Sequence, residues 1–304
     1  MKRIQIGEMS ASQVVLGIMN FTEPDKDTVR ALEVAAEGGI NFFDNADIYG
    51  GGECEKIFAD SFGKSTLKRE NVYIQSKVGI VPGKEFNFTK EHIIEATEGS
   101  MKRLKVDYLD SLLLHRPDTL MEPEEVNYAF EELKKAGKVR YFGVSNQNSG
   151  QIELLKTAVK VPLLMNQLQF SLTNTGMIDS GFHVNMADAR SIDHDGGILE
   201  YSRAHKMTIQ AWSPFRYGLF EGFFVGNREK FPDLNDKLEE LAEKYGVTPD
   251  GIAIAWINRH PANMQTIIGT VNPTRIKSVT DASDVILTHQ EWYDLYLSAG
   301  NDLP

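Results

Sequence analysis

The feature that most restricts this chain is a rhythm. Short apolar runs alternate with amphipathic stretches along almost its whole length. The runs Val14–Gly17, Ile40–Asp44, Val72–Ser76, Leu109–Leu114, Val139–Val144, Leu163–Met165, Met207–Trp212 and Thr266–Ile268 have the length of strands. Helical spacing recurs between them, at 27–37, 53–62, 89–104, 123–135, 151–159 and 198–205. Strands alternating with helices make a parallel sheet. Eight such units in 304 residues favour closure into a (β/α)8 TIM barrel over an open sheet, with the whole chain, 1–304, as one domain. Lys2–Val14 reads as a short hairpin before the first barrel strand, and further helices are expected at 233–245, 249–259, 273–281 and 290–299.

Two connections are long, 171–197 after the sixth strand and 213–232 after the seventh. Loops of that length in a compact domain are usually functional. The second contains SPFRYGLFEGFFVGN, whose five aromatics are expected to cover an apolar ligand.

The charge balance narrows the partners. A net charge of −11 with no dominant basic cluster argues against nucleic acid, but permits an anionic cofactor held by a local positive site. The single cysteine, Cys54, cannot form an internal disulfide and reads as inert helix packing. No apolar run suggests a signal peptide or a membrane span, so a cytoplasmic protein without a membrane partner is expected. Gly63–Lys64–Ser65 mimics the end of a P-loop, but Phe58 stands where its first glycine belongs. Gly63 is instead expected to end the helix over 53–62. The histidines show no metal-ligand spacing, and no metal is expected.

In a barrel of this kind, chemistry sits where the strands end. The polar residues closing each strand are therefore the candidates. The second strand ends at Asp44, with Tyr49 five residues on. The third ends at Lys77, the fourth at His115, the fifth at Ser145 and Asn146. The sixth ends at Asn166 and Gln167, the seventh at Trp212 and Ser213, the eighth at Gly269 and Thr270. Four titratable groups from three consecutive units converge on one rim.

This set resembles the aldo-keto reductase superfamily, and most closely a bacterial branch of it. The resemblance rests on FFDNADIYG at 42–50, SK at 76–77, LLH at 113–115, GVSN at 143–146, NQLQFS at 166–171, AWSP at 211–214 and IIGTVNPTRI at 267–276. It implies a catalytic tetrad of Asp44, Tyr49, Lys77 and His115, a small-molecule carbonyl substrate, and NADPH as cofactor. It also favours a monomer. The chemistry suits these residues. A carbonyl accepts hydride when its oxygen is stabilised as charge develops. Tyr49 would donate the proton, with Lys77 drawing the phenol toward phenolate, Asp44 holding Lys77, and His115 orienting the carbonyl oxygen.

For the cofactor, the resemblance assigns Ser145, Asn146 and Gln167 to the nicotinamide carboxamide and Trp212 to its ring. Ser213 and Gly269 complete the set of cofactor-binding strand ends. In IIGTVNPTRI, Asn272 fits an N-cap and Pro273 the first helical position, so a helix begins there. Thr270 and Arg275 would then add a hydroxyl and a guanidinium for the 2′-phosphate of NADPH, and Asn272 joins the cofactor-binding set. Gly269 stands where many members have lysine, and Val279 where many have an asparagine near the adenine. NADH use therefore stays open. A redox-sensing regulatory subunit with bound cofactor and little turnover is the alternative to an enzyme. A Schiff-base aldolase or isomerase using Lys77 is disfavoured, because Asp44 keeps the amine protonated. The substrate itself is not legible. Met19, Phe21, Ile48, Ile80, Phe86, Phe215 and Tyr217 suggest an apolar pocket, and Arg116 either meets an anionic substrate or pairs with Asp118.

Overall fold

The computed structural model describes residues 1–218 and 221–304. Eight parallel strands close into a barrel: β1 (Val14–Gly17), β2 (Phe42–Asp44), β3 (Tyr73–Val78), β4 (Leu109–Leu114), β5 (Val139–Ser145), β6 (Leu163–Gln169), β7 (Thr208–Trp212) and β8 (Gln265–Ile268). Each strand pairs with the next in sequence, and β8 pairs with β1 through Ile267↔Val15. The fold is the expected (β/α)8 barrel. A hairpin of Arg3–Ile6 and Met9–Ser12 precedes it.

Burial explains the closure. The outward faces of the strands and the inner faces of the helices form one continuous apolar shell, from Leu16 and Phe43 to Trp256 and Tyr296. A second cluster lies apart. Ile4, Ile6, Met9 and Ala11 of the hairpin pack with Val15, Phe42, Leu113, Met165 and Ile267, whose side chains point into the barrel. The hairpin thus stoppers the N-terminal end and leaves the C-terminal end open.

The helices begin where their capping residues stand. Asp25 caps α1 (Lys26–Glu37), and Thr89 caps α3 (Lys90–Leu104). Between them, α2 (Glu53–Lys64) runs straight through Gly63, whose missing side chain would meet open space; the helix ends at Ser65, not at the glycine. Beyond them, α4 spans Pro123–Lys135, and α5 (Ser149–Lys156) opens with a capping box of Asn148 and Gln151.

The connection 171–197 is not a bare loop. It folds into α6 (Gly176–Phe182), and the Asp179 carboxylate pins it by accepting from Tyr296 Oη at 2.7 Å and Arg190 at 3.0 Å. After α7 (Ile198–Ala204) and β7, the aromatic loop makes a small ladder pairing Arg216–Tyr217 with Gly222–Phe223. Phe224 is buried in the outer shell, and Tyr217 packs on Phe231 at 5.2 Å. Phe220 lies outside the described residues. The remaining helices are α8 (Pro232–Tyr245), α9 (Pro249–Arg259), α10 (Pro273–Asp281) and α11 (His289–Ser298). Among the described residues no helix is long and apolar enough to cross a membrane.

Candidate active site

The open end of the barrel holds a cavity of about 380 Å³. Asp44, Tyr49, His115, Ser145, Asn146, Gln167, Trp212, Ser213, Gly269, Thr270 and Arg275 all line it. Lys77 lies directly beneath, fully buried. Its ammonium donates to both Asp44 oxygens, at 2.8 and 2.7 Å, and to the Asn45 carbonyl at 2.7 Å. All three of its protons therefore have acceptors. Burial works against the charge, but Asp44 and Tyr49 outweigh it, and the Lys77 pKa stands above the ordinary lysine value.

Tyr49 sits over this pair, its ring centre 4.9 Å from the Lys77 nitrogen. Three successive glycines in left-handed conformation, Gly50 (φ 57°), Gly51 (φ 66°) and Gly52 (φ 92°), turn the chain sharply between Tyr49 and α2. The phenol departs from expectation. Burial pushes its pKa up and Asp44 adds to that; Lys77 pulls down but does not win. The net shift is upward, so the hydroxyl keeps its proton at neutral pH. His115 meets the Tyr49 ring edge-on, with centres 6.0 Å apart. Burial, helped by Lys77 and Arg116, holds the His115 pKa well below 6.5. The imidazole is neutral, and its buried Nδ1 has no hydrogen-bond partner.

Asp44 is held from below as well. Its Oδ1 accepts from Gln75 at 2.7 Å and from Gln167 at 3.0 Å. Gln75 also donates to Gln210 Oε1 at 2.9 Å and accepts from Ser111 at 2.9 Å. Gln210 donates to Gln265 Oε1 at 2.8 Å, and Gln265 donates to the Ser12 carbonyl at 2.8 Å. A chain of buried amides thus joins the site to the hairpin end. Sequence reasoning missed Gln75, Gln210 and Gln265. Their signal was parity: each lies two residues before an inward residue, Lys77, Trp212 or Ile267.

The strand ends on the other side form a separate polar set. Asn146 donates to Ser145 Oγ at 2.7 Å, and Trp212 Nε1 donates to Asn146 Oδ1 at 3.2 Å. Asn146 (φ 56°) and Ser213 (φ 53°) both adopt the left-handed conformation. Such non-glycine residues concentrate at functional sites. Gln167, expected to hold the nicotinamide carboxamide, lines the cavity but gives its amide protons to Asp44 at 3.0 Å and to Gln210 at 3.3 Å.

At the far end, Asn272 caps α10, accepting from the backbone N–H of Thr274 at 2.9 Å and of Arg275 at 3.2 Å. Asn272 does not line the cavity; its side chain is spent on the helix start. Val279 is fully buried in the outer shell. Among the apolar candidates, Met19, Ile48, Ile80 and Phe215 line the cavity, joined by Phe223, which sequence reasoning had only within its aromatic loop. Phe21 is buried in the core and Phe86 is exposed at the surface.

One more carboxyl stands near. Asp47, on the turn between Asp44 and Tyr49, is pushed up to about 7 by burial and by Glu55, against the pull of Arg103, the Ile48 N–H and Lys77. Glu55 itself is buried, accepting from Ser76 at 2.7 Å and pairing with Arg103 at 2.7 Å.

The open end of the barrel thus gathers a buried Lys–Asp pair beneath a protonated phenol and a neutral imidazole. Consistent with this, the chain belongs to the aldo/keto reductase family, whose model it matches over residues 13–296. It is an NAD(P)H-dependent reductase of that family. It is 33% identical to an uncharacterized oxidoreductase, YcsN, of Bacillus subtilis, across 100% of both chains. It is 31% identical to a 6-dehydroglucose reductase of Agrobacterium fabrum, across 98% of each. In structure it resembles the thermostable aldo-keto reductase Tm1743, solved with the inhibitor epalrestat: TM-score 0.76, 25% identity, 98% of this chain and 100% of that one.

Proposed function

We propose that this site reduces an aldehyde or ketone to an alcohol with Tyr49 as proton donor and NADPH as the preferred cofactor. The observation carrying the proposal is the Lys77–Asp44 pair buried under Tyr49 beside a neutral His115. A neutral imidazole donates a hydrogen bond to a carbonyl oxygen without taking the proton that the phenol supplies. The Lys77 charge, fixed in a dry setting, favours the negative oxygen of Tyr49 once its proton has left.

The residues present fit a nicotinamide cofactor. The cavity runs from Tyr49 and His115 past Ser145, Asn146 and Trp212 to Thr270 and Arg275. Arg275 lines the cavity and pulls on the Asp250 carboxylate, and its guanidinium has the donor fork that suits a phosphate. When bound, the cofactor supplies the hydride. Ser145 and Asn146 would hold its amide, Trp212 its ring, and Arg275 with Thr270 its 2′-phosphate. The decisive experiment is multiple-turnover oxidation of NADPH and NADH with a panel of carbonyl compounds. Many turnovers support the enzyme. A single turnover with every carbonyl would favour the redox-sensing alternative.

A further inference from the structure

The tetrad does not use Arg116, although it follows His115 directly. Arg116 is half-buried and lines the same cavity as Tyr49, His115, Trp212 and Phe215. Its guanidinium carbon lies 6.0 Å from the centre of the Trp212 ring. The counter-ion nearest in sequence is already committed. Asp118 accepts the Phe88 N–H at 2.8 Å through one oxygen and the Leu120 N–H at 2.9 Å through the other. Among the described residues no carboxylate pairs with Arg116, and burial alone displaces its pKa, downward. The cavity's other guanidiniums are placed differently. Arg275 stands at the α10 end beside Thr270, and Arg216 rests on the Phe223 ring at 4.9 Å.

A partly desolvated cation without a counter-ion is costly to hold. A ligand oxyanion removes that cost. Arg also matches carboxylate and phosphate groups with two parallel donors. The position beside His115 sets where the anion must lie: close to the carbonyl, on the substrate and away from the α10 end.

We infer that Arg116 determines substrate class, selecting carbonyl compounds that carry an oxyanion group, carboxylate or phosphate, a few bonds from the reacting carbon. This rests on the carbonyl-reductase reading above. In the reaction the anionic group stays unchanged; only the carbonyl gains a hydride and a proton.

The test compares matched pairs with the full-length enzyme and NADPH: 4-oxobutanoate against butanal, and glyceraldehyde 3-phosphate against glyceraldehyde. The wild type should show kcat/KM about 10- to 100-fold higher for at least one anionic member, the range of a charge-assisted contact. In Arg116→Met the ratio should fall toward one, mainly through KM of the anionic substrate. Arg116→Lys should keep part of it, since the charge remains and the fork is lost. Preference in the first pair alone assigns a carboxylate, and in the second alone a phosphate. Turnover of the neutral members with no preference in either pair would overturn this inference and leave the reductase reading standing. An intact ratio in Arg116→Met, with weakened NADPH binding by fluorescence titration, would overturn it and give Arg116 to the cofactor. No turnover of any carbonyl would overturn both.

Discussion

The two ends of the barrel are built from opposite materials. At the closed end, Ile4, Ile6, Met9 and Ala11 meet Val15, Phe42 and Met165 in an apolar plug. At the open end, β2, β3 and β4 finish at or beside Asp44, Lys77 and His115, with left-handed backbone at Asn146 and Ser213. Burial at the closed end stabilises, at roughly 25 cal/mol for each Å² of apolar surface removed from water. Burial at the open end costs, and is tolerated because Asp44 and Lys77 satisfy each other. One end holds the chain together, and the other holds charges where the proposed reaction needs them. Substitutions should therefore separate cleanly, with rim changes altering chemistry and plug changes altering stability.

The largest expected effect is at the rim. Tyr49→Phe keeps the ring and removes the proton, and should lower kcat by about 10²- to 10⁴-fold. Cofactor affinity, measured by fluorescence titration, should change little. Near-normal turnover would show that another group supplies the proton.

The plug gives the counterpart. Ile6→Ala removes a side chain only 2% exposed and should cost about 2–5 kcal/mol in denaturant unfolding. Turnover per folded molecule should be kept. A comparable loss of kcat at a temperature where the variant is folded would mean that the ends are not separable.

How far this division was visible in the sequence depends on the residue. The strand runs and the acid–base residues closing them could be read directly, because a barrel places strand ends on one rim. The amide chain could not. Gln75, Gln210 and Gln265 sit in mid-strand, where a polar residue reads as an interruption of an apolar run, and their partners are distant in sequence. The same effect shortened β6, which continues through Asn166, Gln167 and Gln169. Helix α6 was hidden because its glycines, Gly176 and Gly181, weaken the helical signal and its anchors, Arg190 and Tyr296, lie outside it. Asn272 reads both as an N-cap and as a cofactor-binding residue; the structure shows its carboxamide oxygen occupied by the cap.

A smaller effect is expected at the cofactor end of the rim. Arg275→Ala should weaken NADPH binding about 10- to 150-fold, as for loss of a charge-assisted contact. NADH lacks the 2′-phosphate, so its affinity should barely move. Parallel titrations decide: equal changes for the two cofactors would exclude a phosphate-reading role.

The smallest effect concerns stability at the rim itself. Asp47 has a folded-state pKa of about 7, above the ordinary aspartate value of 3.8. Between those values the folded state binds the proton and the unfolded state does not, so stability falls as pH rises through that window and is flat above it. Asp47→Asn removes the penalty. At pH 8 it should gain on the order of 1 kcal/mol, about 2–4 °C in Tm, with the gain shrinking toward pH 4. A gain independent of pH would place the cause elsewhere.

The amide chain has a further consequence, one of orientation. Gln75 donates to Asp44 and to Gln210, Gln210 donates to Gln265 and back to Gln75 at 3.3 Å, and Gln265 donates to the Ser12 carbonyl, so turning any one of them end for end would set like atoms against each other. The interior therefore has one joint arrangement, set by an acceptor at each end, the Asp44 carboxylate and the Ser12 carbonyl. Shape alone does not encode it. Glutamate has nearly the outline of glutamine, yet in Gln75→Glu an oxygen would replace the nitrogen that now lies 2.7 Å from Asp44. Two carboxyl groups at that distance share a proton. Asp44 would then no longer be a full negative partner for Lys77, and the pair beneath Tyr49 would be disturbed by a substitution that changes almost nothing in the packing.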